Sequence, residues 1–559
     1  MSNAPQDQPF TPLGYDSGRY YYYSFLLQKI VALTPVEHRK ENLFALAPYT
    51  YWVKQYGEKK ESWALATDSL IQSCAAEGLF NPANVIGRGI WLIDGKGVTH
   101  YGDEVLIDGK RYAPKKIPRE IAKKKVFEVA EPLQLGEPDK NADFTQIEAI
   151  LSELSFQTPH AALLIAGWVV CGMAAGALHW RPHIWITGKA GSGKSAVVNT
   201  IKRLLGNCGE HYTGETTEAG IRQDLKHDCR AVTYDEAEPK THQAQVALQK
   251  VLNLFRQASS DETAKIAKGT VSGKGINFKI RSCAMLGSVN AFLTEEPDKT
   301  RFFVIEMAKP LEKKEFVKWE FKMQKSFSKG FQAALHTRIS QNIVTLAANA
   351  KTFSSVLAER FTNNRAGDQY GTLVAGAYLL SNIDLISAED AADWVKDMRF
   401  PADEIIADEQ SDEMELWNYM LERMIPFKKQ YGDKVINIDR PLAELIDAAA
   451  VNHTPQNYTW MDADSALADK GMKVVKEDGI QYIAISTNHS GIADLISRSR
   501  FAGLEWSPIL RRIKGAKAGE KPYKIGRGKK ATRVTLIPLE KETEAESKSA
   551  PVLAVNEDF

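Results

Sequence analysis

The stretch Gly188-Lys-Ala-Gly-Ser-Gly-Lys194-Ser195 has the residue types and spacing to hold a triphosphate. It fits G-x-x-x-x-G-K-[ST], in which the glycines let backbone N–H groups turn inward around phosphate oxygens. Gly188, Lys189, Ala190, Gly191, Ser192 and Gly193 would form the cradle for ATP. Lys194 can reach the β- and γ-phosphates, and the Ser195 hydroxyl can ligate Mg²⁺.

Hydrolysis needs more than a cradle: an acid to hold the metal, a group to orient water, and a positive charge for the transition state. Arg230-Ala-Val-Thr-Tyr234 reads as a strand that ends in Asp235-Glu236, 40 residues after Ser195. Asp235 would hold Mg²⁺ through water, and Glu236 would polarise the attacking water. Ser282-Cys-Ala-Met-Leu-Gly-Ser-Val-Asn290 is a further apolar strand ending in an amide, and Asn290 can hold the nucleophilic water. Arg301 stands just before the strand Phe302 to Met307, where it can act as an arginine finger. A finger of this kind reaches a neighbouring subunit's γ-phosphate, so that reading requires a ring or at least an oligomer.

The elements that must position these groups are legible around them. His183-Ile-Trp-Ile-Thr187 reads as a short buried strand entering the loop. Ser195 to Leu205 reads as an apolar-periodic helix leaving it, stopped by Gly206. Residues 146–310 alternate apolar strands with helices, the pattern of a parallel α/β sheet. Before them, residues 11–145 mix aromatic-rich strands with Asp-Gly turns (Asp94-Gly95, Asp108-Gly109) and a helix over Trp63 to Ala76, a small α+β domain. Pro132 to Asp143 reads as a linker. Residues 311–425 read as a helical lid or collar, and 430–540 as a winged-helix-like domain. Residues 1–10 and 541–559 read as disordered.

The chain's 559 residues are too many for one compact core, and its 71 Lys+Arg against 70 Asp+Glu exclude a global polyanion-binding charge. Any nucleic-acid surface must therefore be local. Cys74, Cys171, Cys208, Cys229 and Cys283 are scattered, which excludes a zinc ribbon or disulfide frame and points to a reducing cytoplasm. Ala161 to Leu178 is an uncharged run, but six alanines and three glycines make it a buried helix rather than a membrane span.

Two local basic features point to nucleic acid. Ser272-Gly-Lys-Gly275 reads as the tip of a hairpin with Lys274 at the tip and Lys268 and Lys279 on its arms. Inserted just before the Asn290 strand, it could grip the phosphates of a threaded strand. From Arg498 to Arg533 there are twelve Lys/Arg against two Glu, over a helix–helix–hairpin outline. Arg511, Arg512, Arg527, Lys529 and Lys530 are the candidate phosphate contacts there.

Together, Trp180 to Ser195, Tyr234-Asp-Glu-Ala-Glu238, the Lys274 hairpin, Gly287-Ser-Val-Asn290 and Thr300-Arg-Phe-Phe303 resemble the helicase part of phage, plasmid and prophage primase-helicases. These are relatives of superfamily-3 helicases within the AAA+ class. The resemblance implies an AAA+-like P-loop ATPase core and a hexameric ring that spends ATP to move on single-stranded DNA and unwind a replication fork. It also implies work in the cytoplasm of a prokaryotic host, with a separate primase or replication protein as a possible partner and no membrane. The first ~145 residues carry neither a Cys-rich zinc motif nor a primase's paired acids, so primer synthesis is not expected. An AAA+ machine that melts origins or senses DNA in defence would share every ATPase residue. A protein remodeller would share them too, though a lysine at the channel loop fits it less well than an aromatic.

Overall fold

The structure is a computed structural model that describes residues 8–117, 125–239, 241–260, 280–293, 295–403, 412–431, 434–451, 460–499, 501–525 and 531–539. The expected hairpin with Lys268, Lys274 and Lys279, the turn with Arg527, Lys529 and Lys530, the tail 541–559 and most of residues 1–10 lie outside the described residues. The chain forms two compact units, one up to residue 406 and one from 407 onward.

The first unit is organised on a five-stranded sheet: β1 (His183–Thr187), β2 (Gly209–Thr213), β3 (Ala231–Asp235), β4 (Ala284–Ser288) and β5 (Phe302–Glu306). The order across the sheet is β2-β3-β4-β1-β5, and every pairing is parallel. β1 and β4 are buried at all five positions, which is why they read as unbroken apolar runs rather than as alternation. Helices Lys194–Leu205, Glu218–Leu225 and His242–Ala258 make the crossovers. The edge strand β2, Gly-Glu-His-Tyr-Thr, has no apolar run and is not among the strands read from sequence.

The order matters for function. From β1 the chain winds outward to β2 and returns through β3 and β4, then crosses to β5 on the far side of β1. In open α/β sheets such a reversal leaves a crevice at the carboxyl ends of the strands where ligands bind. The loop after β1 lies there, with the loop after β4 next to it and the loop after β3 one strand further.

Helix Ala161–Met173 is buried at every residue, and no helix among the described residues is long and apolar enough to cross a membrane. It packs backbone to backbone on helix Asn364–Ser381: a Cβ at Gly167 would overlap the Leu373 carbonyl, and one at Gly376 the Gly167 carbonyl. Helices Lys313–Ser326, Lys329–Gln341, Ile343–Phe361 and Ala388–Val395 join the same core as the parallel sheet.

The first 145 residues divide between two cores. The three-stranded sheet Phe10–Asp16, Arg19–Ser24, Lys29–Leu33 and helix Lys60–Glu77 enclose a small core with Phe10, Tyr22, Trp52 and Leu70. The four-stranded meander from Gly89 to Tyr112 belongs to the main core. Its Asp94-Gly95 and Asp108-Gly109 turns take positive φ at both positions, as two-residue hairpins require. Arg88 locks the meander to the entry of β3, its Nε donating to Asp228 Oδ2 at 2.9 Å and its backbone N–H to Oδ1 at 2.7 Å. The segment expected as a linker is pinned, Leu133 N–H to the Tyr101 carbonyl and Asp139 N–H to that of Gly330.

In the second unit, helix Asp412–Leu421 contributes Leu416 and Met420 to the core, so the unit starts before the expected boundary near 430. Its four-stranded antiparallel sheet orders Met472–Glu477, Ile480–Ser486, Val534–Pro538 and Lys517–Ala518. Helices Ser490–Ile496 and Trp506–Leu510 stand where the sequence puts them. The last long strand pairs with Ile480–Ser486, and Tyr523 meets Thr532 through a single bridge rather than a full wing strand.

Candidate active site at the carboxyl edge of the parallel sheet

The glycine spacing of the loop after β1 is a backbone requirement. Gly188, Gly191 and Gly193 take φ of +151°, +79° and +100°, and a Cβ at Gly188 would press into Ser192 Oγ and Met307. Gly193 is the N-cap of helix Lys194–Leu205 and supplies no side-chain cap, so the first-turn N–H groups face the loop as an anion seat. Lys194 Nζ donates to the Gly188 carbonyl at 2.5 Å and the Lys189 carbonyl at 3.2 Å, which holds its charge over the cradle. Ser192 Oγ is buried without a partner among the described residues. Lys189, Ala190 and Ser195 are exposed on the open side. This cradle, an anion seat with a lysine and a hydroxyl, fits a triphosphate with its Mg²⁺.

Three loops meet at one residue. Gly188 N–H donates to the Val289 carbonyl at 3.2 Å, and Val289 N–H donates to the Glu238 carboxylate. The phosphate loop, the acidic turn after β3 and the Asn290 loop after β4 are thus fixed to one another. Trp185 Nε1 donates to Ser288 Oγ at 2.6 Å, and Ser288 donates on to the Asn290 carbonyl at 2.6 Å, leaving the Asn290 side chain exposed. Glu238 and Ser288 were not singled out from sequence; only the third dimension makes them struts of the site.

Asp235 ends β3 half-buried. Its Oδ1 accepts the Glu236 N–H at 3.0 Å, and Oδ2 lies 3.9 Å from Lys202 Nζ. Gly287 gives it room, since a Cβ there would sit 3.0 Å from Oδ1. Glu236 takes φ +56°, a left-handed conformation that costs a non-glycine residue on the order of 1 kcal/mol. The turn is held there by Ala237 N–H to the Gly287 carbonyl at 2.9 Å and by Gly214, whose missing Cβ admits the Glu236 carbonyl. The Glu236 residue is exposed at this turn.

Arg301 is elsewhere. It precedes β5, and the register Phe302↔His183 puts it at the amino edge of the sheet. The strand β1 lies between it and its own phosphate loop, about 16 Å at strand rise. Its Nη1 donates to the Pro297 carbonyl at 2.9 Å, while Nε is buried without a partner among the described residues. Burial, then the charges of Arg365 and Arg256, lower its pKa, and Asp298 opposes them. Asp298 is fully buried; it accepts from Gln249 Nε2 at 2.7 Å and lies 3.4 Å from Arg256 Nη1, which also pairs with Glu295 at 2.6 Å. Arg256 pairs with both carboxylates, and the Arg301 and Arg365 guanidinium groups stand near it, a surplus of positive charge at that edge. Arg256 and Asp298 were not singled out from sequence.

In the second unit, Arg511 and Arg512 are exposed after helix Trp506–Leu510. Arg511 lines an open groove of about 720 Å³ with Lys521 and Arg533, two cations counted in the basic stretch but not named as contacts.

No known protein family matches the sequence, and neither does any curated protein. Among solved structures, the chain is similar to one described as SCCmec type IV Cch, an active helicase, at 12% identity over 95% of this chain and 93% of that one, with a TM-score of 0.47. It is similar to the NrS-1 C-terminal region at 14% identity over 77% and 95%, TM-score 0.28. It is similar to a full-length MCM homologue from Methanopyrus kandleri at 13% identity over 57% and 75%, TM-score 0.29. Likeness this distant transfers no activity, so the functional reading stands on the residues.

Proposed function

We propose that the chain is an ATP hydrolase that drives a ring-forming DNA helicase, acting on single-stranded DNA at the replication fork of a phage or other mobile element in a prokaryotic cytoplasm. The carrying observation is the split of groups between the two sheet edges: cradle, acid and amide are tied at Val289, and the arginine is about 16 Å away. One subunit then cannot complete its own site, which supports a homo-oligomer; the hexamer is what the family resemblance adds.

In this reading the backbone of Gly188 to Gly193 and Lys194 bind the ATP phosphates, and Ser195 and Asp235 hold Mg²⁺. The metal would neutralise charge between the β- and γ-phosphates. Glu236 takes up the proton of the attacking water, and the Asn290 amide orients that water. Arg301 offers its charge to a neighbouring copy's γ-phosphate, its Nη1 held by the Pro297 carbonyl. The basic stretch with Arg511 and Arg512 supports DNA as the track, through phosphate contacts that carry little sequence information. Lys268, Lys274, Lys279, Arg527, Lys529 and Lys530 complete the proposed nucleic-acid contacts on sequence grounds.

The test is ATP turnover with and without single-stranded DNA, and fork unwinding, for the wild type beside Lys194→Ala. The reading predicts DNA-stimulated turnover and unwinding in the wild type and neither in the variant. Stimulation without unwinding would favour an origin-melting or sensing ATPase, and turnover indifferent to DNA would sink both DNA readings.

A further inference from the structure

The N-terminal part of the first unit contains a cleft of about 320 Å³ that the ATPase mechanism does not use. It opens between the three-stranded sheet and the strand pair Val85–Ile86/Val126–Phe127. Phe80 and Phe127 are buried in its lining, and Phe25 is half-buried beside Tyr23, their rings 5.7 Å apart edge to face. Leu79, which also lines the cleft, is 78% exposed.

The polar groups point to an anionic ligand with a flat face. Tyr23 is 6% exposed, and its hydroxyl has no hydrogen-bond partner among the described residues. Burial and the charge of Glu128 push its pKa to about 12, so at neutral pH it can donate a hydrogen bond. Lys115 is exposed and Lys125 half-buried. Lys125 Nζ donates at 3.0 Å to the amide oxygen of Asn84, a neutral partner; burial and the like charge of Arg281 lower its pKa, more than the charge of Asp94 raises it. Glu77 is the one carboxylate in the lining. Aromatic rings for bases beside cations for phosphates are how proteins hold single strands without sequence preference.

We infer that this cleft binds single-stranded nucleic acid, one unstacked base lying on Phe25 and the flanking phosphates on Lys115 and Lys125. The inference rests on the DNA-motor reading only for the identity of the ligand, and assigns a role to a region the motor chemistry leaves idle. A free nucleotide offers the same base and phosphate, so the test separates the two sources.

The full-length protein, without ATP, is photocrosslinked to oligo-dT carrying 4-thiothymidine and its peptides are mapped; affinity is measured in parallel over a salt series. The expected result is crosslinking at Phe25 or Phe80, lost in Phe25→Ala. Lys115→Ala/Lys125→Ala should weaken oligo-dT binding about tenfold and flatten the log K against log salt slope by about 1.4, as two single-strand phosphate contacts require. Lys115→Arg/Lys125→Arg should restore both, and DNA-free ATP turnover should be unchanged throughout. Crosslinks confined to other regions, with affinity and slope unmoved, would overturn the inference. So would dTMP competing as well as the oligomer, which would make the cleft a mononucleotide pocket. The two readings fail separately: DNA-stimulated turnover without cleft crosslinks sinks the cleft alone, and cleft crosslinks with turnover indifferent to DNA sink the motor alone.

Discussion

The two edges of the parallel sheet are built on opposite principles. At the carboxyl edge the reactive side chains stand open: Ser195, Glu236 and Asn290 are exposed, and the backbone beneath them is fixed by glycines and by the bonds at Val289. At the amino edge the reverse holds. Arg301 is half-buried, and the nearby Asp298 is fully so, tied to Gln249 and Arg256. An open edge with a fixed backbone suits a ligand that comes and goes. A buried acid beside a surplus of arginine charge suits a surface that presents one charge in one place, to something outside the chain. The contrast is what makes a shared catalytic site the economical reading of this sheet.

Substitutions can sharpen or break that contrast. The largest effect is expected at the open edge: Glu236→Gln should lower ATP turnover by about 10²–10⁴-fold, the usual weight of a general base, with ATP affinity kept. Quenched-flow turnover beside equilibrium nucleotide binding checks it, and equal losses in both would make Glu236 a binding residue instead. At the buried edge, Arg301→Ala should cost about 10³-fold in turnover, the lower range for an arginine finger, with nucleotide affinity unchanged in dilute, dissociated protein. Asp298→Asn should cost about tenfold, since Arg301 keeps its charge but loses the opposing carboxylate charge near it; a loss as large as that of Arg301→Ala would mean the edge had collapsed, which circular dichroism would register.

The smallest expected effect is on stability. His100, His183 and His336 are buried, and burial lowers their pKa values to about 4, 3 and 4. His183 is held neutral in β1, accepting from Ala284 N–H on Nδ1 and meeting the Phe255 carbonyl through Nε2. The folded pKa lies below the ordinary value of about 6.5, so this stability is present above pH 6.5 and is lost as pH falls toward 4. Melting should shift down by about 5 °C or more between pH 7 and pH 5. The loss should fall on the first unit, because no such buried histidine occurs among the described residues of the second. Equal acid lability of both units would contradict the assignment.

Much of the open edge was legible in the sequence because backbone conformation dictates it. Only glycine readily takes the positive φ at positions 191 and 193, and β1, β3 and β4 are buried on both faces and so read as apolar runs, as does β5 over Phe302 to Ile305. The edge strand β2 escaped because one exposed side leaves it polar. Glu238, Arg256 and Asp298 escaped for another reason: each acts across the fold, Glu238 on a residue 51 positions away and Arg256 on one 42 away, and no local pattern marks such a partner. Core membership is equally non-local. The Asp-Gly turns announce the meander, but nothing in them says that Trp91 and Val98 pack with the parallel sheet while Phe10 and Trp52 do not.

In the proposed oligomer one copy's open edge works with another copy's buried edge. Mixing Lys194→Ala with Arg301→Ala tests it most directly. Each variant alone lacks one half of every site, but an interface with the phosphate loop of the Arg301→Ala chain and the arginine of the Lys194→Ala chain is whole. The mixture is predicted to hydrolyse ATP well above either variant alone, with a maximum near equal amounts. Turnover that stays at the sum of the two inactive proteins at every ratio, although mixed oligomers form, would contradict the claim.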